Sequence, residues 1–126
     1  MKTEKIYTQH EENKEWHSKL LFYADEIKIM KHRLEEIVTK NTSKDILAGV
    51  EHFQNQLIIQ KNTIDTIKHG VNISEDALIK NISNNEVAVD HREVKDHTET
   101  REMLVTFEKT FTDLKHELNN SLIKWM

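Results

Sequence analysis

Large apolar side chains recur in the first third of the chain at alternating intervals of four and three residues: Trp16, Leu20, Tyr23, Ile27, Met30, Leu34 and Ile37. An α-helix turns every 3.6 residues, so this rhythm sets all seven on one stripe that must be buried against other helices. It predicts helix 1 over about Thr8 to Lys40, roughly 50 Å at about 1.5 Å per residue. Glu11, Glu15, Lys19, Glu26, Lys31 and Glu35 occupy its other face. Their i,i+4 pairs contribute only tenths of a kcal/mol, so the apolar seam holds the helix.

Asn41-Thr42-Ser43 reads as a turn, with Thr42 or Ser43 able to cap the next helix. Ile46, Val50, Phe53, Leu57, Gln60, Ile64 and Ile67 then repeat the rhythm over helix 2, about Lys44 to His69, with Gln60 a polar exception that needs a partner. His69-Gly70 reads as a helix end, with glycine at C′. Ser74-Glu75-Asp76 predicts the start of a short helix 3 ending near Ser83. Three capping boxes compete beyond it, Ser83-x-x-Glu86, Asp90-x-x-Glu93 and Asp96-x-x-Glu99. The reading preferred here makes residues 84–89 an extended passage and opens a long helix 4 near Asp90; the alternative start is Asp96. Leu104, Phe107, Phe111, Leu114, Leu118, Leu122 and Trp125 form the second long seam. Short connections place successive helices antiparallel, so the expected fold is all-α, an up-down-up-down bundle with coiled-coil-like packing and a shorter helix 3. Trp125 is expected beside the start of helix 1, covered by Ile6 and Tyr7.

Composition narrows the class. The 126 residues suit a single domain spanning 1–126, and the absence of proline with only two glycines agrees with long uninterrupted helices. The absence of cysteine removes disulfides, thiolate nucleophiles and cysteine metal sites, and fits a cytoplasmic protein. The polar start of the chain lacks a secretory pattern, and no segment is apolar enough to span a bilayer. A net charge of −4 with interspersed lysines offers no basic stripe, which argues against nucleic acid as a partner. Neither a nucleophile-elbow pattern nor a glycine-rich phosphate loop is present, so the expectation is a protein that is not an enzyme.

Eight histidines, at positions 10, 17, 32, 52, 69, 91, 97 and 116, are the chemical signal. Imidazole is the commonest protein metal ligand, and metal-holding bundles project His and carboxylates inward from facing helices. In a four-helix arrangement His32, His52 and His97 fall at similar heights, with His91 near the top. The candidate ligands are His52, His91, His97 and Glu93, for iron, zinc or manganese. The ferritin-like Glu-x-x-His motif is absent. Hemerythrin-like elements are matched only by His32-x-x-x-Glu36 and His91-x-x-x-x-Asp96, without any His-x-x-x-His. The plainer reading keeps most histidines solvated on polar faces, with His97 buried or half-buried and paired to Glu93.

Trp16 to Ile37, Val50-Glu-His-Phe-Gln-Asn-Gln56, Val87-Ala-Val-Asp-His-Arg92 and Leu122-Ile-Lys-Trp-Met126 resemble stretches of small uncharacterised bacterial all-helical proteins of about this length. The resemblance implies a bacterial cytosolic source and carries no function. The expectation is a non-enzymatic binding or protein-interaction module, joined to a protein partner or to a second copy through apolar surface that the seams leave uncovered. The alternative is a metal-binding bundle.

Overall fold

The computed structural model describes residues 3–89 and 92–126. It contains three long helices, α1 (Ile6–Lys40), α2 (Lys44–Asn84) and α3 (Thr98–Trp125), and two short strands, β1 (Thr3–Lys5) and β2 (Glu93–Lys95). The described residues are all-α in their packing layers but form three helices, not four. The predicted helices 2 and 3 are one helix of 41 residues, about 60 Å long.

The continuity of α2 has a physical cause in its seam. Beyond Ile67 the four–three rhythm runs on through Val71, Ser74 and Leu78, and Val71 and Leu78 are buried. Gly70 therefore sits in the helix interior, without a positive φ, and does not close it. Ser74, which read as a helix cap, is a polar member of that seam. Helix 1 ends at Lys40 as expected and starts two residues earlier than Thr8. Ser43 occupies the N-cap position of α2, but its hydroxyl makes no capping bond.

The connection from α2 to α3 is not a plain extended passage. After Asn84 the chain turns at Val87 and Ala88, Ala88 taking the left-handed conformation at φ 55°. Arg92 pins this turn: its guanidinium donates to the Asn81 carbonyl (3.0 Å) and Oδ1 (2.6 Å), and to the Asn85 and Val87 carbonyls. A cation on the last carbonyls of α2 meets the negative end of the helix dipole. The chain then pairs as β2 antiparallel to β1, with Thr3 opposite Lys95, Glu4 opposite Val94 and Lys5 opposite Glu93. Helix α3 begins at Thr98, close to the alternative start at Asp96; the preferred reading, a helix already open from near Asp90, is overturned because Glu93–Lys95 is a strand and Asp96 and His97 are not helical, Asp90 itself lying outside the described residues.

Losing one helix reverses the direction of everything after it. Helix α3 runs parallel to α1, so Trp125 lies at the far end from Ile6 and Tyr7, contrary to expectation. Its ring packs edge-on to Phe53 at 6.0 Å. It also lies so close to α2 that a Cβ on Gly49 would come within 2.6 Å of it, so the absence of a side chain there lets the end of α3 approach. Between these ends Leu20, Ile27, Leu34, Leu57, Ile64 and Leu118 are fully buried in one continuous core. Tyr23 of α1 packs against Phe107 and Phe111 of α3 at 5.3 and 5.0 Å. Its hydroxyl donates to Glu108 Oε2 at 2.5 Å, and Lys115 reaches Glu26 at 2.7 Å. No helix among the described residues is long and apolar enough to cross a membrane.

Candidate functional site

The seam of α1 can be followed backward from Trp16 on the same rhythm, through Asn13 and Gln9 to Ile6. All three are buried, so two amides occupy core positions. The seam of α2 turns polar at the same level, at Ser74. His97, directly before α3, stacks on Trp16 at 4.4 Å between ring centroids. A polar layer is thus built into one end of the bundle, covered by Ile6 and Leu78 and flanked by the two strands.

The hydrogen-bond network fixes the protons in this layer. Gln9 Nε2 donates to Glu4 Oε1 and to the Lys95 carbonyl, both at 2.8 Å, which orients the amide. Gln9 Oε1 must then accept, and Ser74 Oγ donates to it at 2.9 Å. With its single proton so placed, the Ser74 oxygen can only accept from its other neighbours, Asn13 Nδ2 at 3.3 Å and His97 Nδ1 at 3.4 Å. His97 accordingly carries a proton on Nδ1, an assignment that follows from the network.

The other imidazole nitrogen, Nε2, faces two carboxylates, Glu4 Oε1 at 3.3 Å and Glu12 Oε1 at 3.5 Å. The His97 side chain is 8% exposed and that of Glu4 12%. Nε2 makes no hydrogen bond among the described residues, and neither does the buried Oδ1 of Asn13. Around the carboxylates stands Arg101, whose Nη2 lies 2.9 Å and 3.0 Å from the two oxygens of Glu12, with Nε 3.2 Å from the second. It also approaches Glu4 at 3.5 Å and Asp96 at 3.6 Å, and lies over the Trp16 ring at 5.7 Å. Burial opposes the guanidinium charge, but the Glu12 bonds and the charges of Glu12, Asp96 and Glu4 outweigh it and raise its pKa further. The Thr98 hydroxyl bond, then Arg101, hold the Asp96 carboxyl below the usual carboxylate range. Alongside, Glu75 accepts from Asn13 Nδ2 at 2.9 Å and meets His10 Nδ1 at 2.5 Å. A cleft of about 510 Å³ opens beside the layer, lined among others by Gln9, Ser74, Lys95 and His97.

Of the residues singled out from the sequence, His97 is in this cluster. His52 is exposed on α2, its ring edge-on to Phe53 near the opposite end of the bundle. Glu93 is exposed on β2 and accepts from the Thr3 hydroxyl at 3.0 Å. The expected Glu93–His97 pair does not form, because residues 93–95 are extended and have no i,i+4 face. His91 lies outside the described residues. Glu4, Glu12, Gln9, Asn13, Ser74 and Arg101 were not foreseen; amides at seam positions ahead of Trp16 were the available signal. Comparison with protein-family models, with curated proteins and with solved structures finds no match to this chain.

Proposed function

We propose that this small all-helical protein is a non-enzymatic interaction module that associates through the outward face of α1 with a second copy of itself. The observation that carries this reading is a set of exposed apolar side chains, interrupted by Asp25, on the side of α1 turned away from the core. Tyr7, Phe22 and Ile29 belong to it and Leu21 flanks it, with Phe22 59% and Ile29 52% exposed. Phe22 and Ile29 are seven residues apart, so they stack on one line two turns from each other. A two-fold axis midway between them lays Phe22 of one copy on Ile29 of the other and brings Glu11 opposite Lys40. That arrangement is the self-complementary contact a symmetric dimer requires.

The test is light scattering of the untagged chain with the double variant Phe22→Glu/Ile29→Glu as control. The wild type is expected to be dimeric at micromolar concentration. Each changed residue counts twice in a symmetric contact, so the variant should dissociate at concentrations at least about 100-fold higher. Its melting temperature should stay close to that of the monomer, since both side chains face solvent. A wild type that is monomeric throughout would overturn the reading and leave the face to a partner of different sequence. A second reading, metal binding, is favoured by the surroundings of His97.

A further inference from the structure

We infer that Glu4, Glu12 and His97 form a binding site for one divalent transition-metal ion of the zinc type, joining the N-terminal strand, α1 and the start of α3. This site does not rest on the self-association proposed above; its residues are at one end of the bundle and its test reads a different signal.

The inference starts from the proton assignment. Nδ1 of His97 is the donor to Ser74, so in the neutral ring Nε2 carries the lone pair, on the side where Glu4 and Glu12 present oxygens. In that tautomer three acceptors converge where His97 is nine-tenths buried and its Nε2 has no hydrogen-bond partner among the described residues. Arg101 answers Glu12 and approaches Glu4 from the outside, and a cation held between Nε2 and the two oxygens would satisfy all three acceptors. The three ligand atoms all lie within 4.8 Å of one another. The Nε2–oxygen separations of 3.3 and 3.5 Å are close to the edge of a tetrahedron whose metal–ligand bonds are about 2.0–2.1 Å, an edge of about 3.4 Å. Octahedral ligands around magnesium would stand nearer 3 Å apart, and imidazole is a poor ligand for the hard cations.

Charge agrees with geometry. Glu4, Glu12 and Asp96 set three carboxylates against the single guanidinium of Arg101, which leaves two negative charges for a divalent ion to neutralise. The outer contacts are also those that metal ligands carry. Ser74 orients the imidazole through Nδ1, Gln9 donates to the ligating Glu4 oxygen, and Arg101 grips Glu12.

Zinc chloride titrated into the untagged full-length chain tests this, followed by calorimetry and by the side-chain nitrogen signals of the histidines. One zinc should bind per chain, with a rise in melting temperature. The His97 Nε2 signal should move to that of a metal-bound nitrogen while Nδ1 keeps its proton. Glu4→Gln and Glu12→Gln should each weaken binding tenfold or more, and His52→Ala should leave it unchanged. Absence of saturable zinc binding would overturn the site and leave a shared proton as the cation. Binding that leaves the His97 signals unmoved would overturn it as well, placing zinc on exposed histidines. The wild-type histidine signals decide the matter even where a variant fails to fold.

Discussion

Gln60 and Gln9 are both buried glutamines at seam positions, and opposite consequences follow from what surrounds them. Gln60 stands between Leu57 and Ile64, and its Oε1 has no partner among the described residues. An unmet buried acceptor costs about 1–3 kcal/mol, so Gln60→Met, nearly equal in volume, should stabilise the protein by about 1 kcal/mol. In Gln9 every polar atom is engaged, and Gln9→Met would strip partners from Glu4, Ser74 and the Lys95 carbonyl. A loss of about 2–3 kcal/mol is expected there. Urea midpoints of the two variants should move in opposite directions. Tyr23 adds a pH dependence. Burial first, then the bond to Glu108 and the charges of Glu108 and Glu26, push its pKa up to about 12 from 10.0. The folded state thus holds the phenolic proton over a range where the unfolded chain releases it, and the associated stability is complete below pH 10 and lost as pH rises toward 12. Tyr23→Phe should cost about 1 kcal/mol at neutral pH. The gap between wild type and variant should narrow from pH 10 upward, as read from denaturation midpoints.

At the scale of elements, the seams of α1 and of α3 after Leu104 were legible because nothing competes with their periodicity. The boundary inside α2 was misread because two local signals, Gly70 and Ser74-Glu75-Asp76, look like a stop and a start. Seam continuity through Val71 and Leu78 outweighs them: burying two more apolar turns exceeds the roughly 1 kcal/mol by which glycine weakens a helix interior. The candidate site was illegible for a related reason. Strand β1 and the Asn13, Gln9 extension of the α1 seam are polar, so a search for apolar stripes stops at Trp16, and the partners of His97 lie before that point. Gly70→Ala separates the two views of α2. At a helix end with positive φ, alanine would cost about 1 kcal/mol or more. In the helix interior it gains up to about 1 kcal/mol, reduced by a tight 3.2 Å approach to the Thr100 hydroxyl, which can rotate away. The melting temperature of Gly70→Ala should therefore be unchanged or raised.

For the whole molecule, the number of helices decides which residues can meet. With four, His52 and His97 stand at the same level and a metal site between them is plausible. With three, α3 points the other way and the same two residues are separated by nearly the length of α3, since the neighbour of His52, Phe53, packs against Trp125 at its last turn. Twenty-eight residues of helix span about 42 Å. The chain has no cysteine, so spin labels can be placed without background. Labels at His52→Cys and Glu99→Cys, both exposed positions, should report a distance of about 40 Å by pulsed electron resonance. Labels at His52→Cys and Ile123→Cys should lie much closer. The reverse order would restore the four-helix arrangement, place Trp125 beside Ile6, and separate Glu4 and Glu12 from His97. One pair of distances therefore tests the direction of the last helix and, with it, whether the polar layer at the N-terminal end of the bundle can exist.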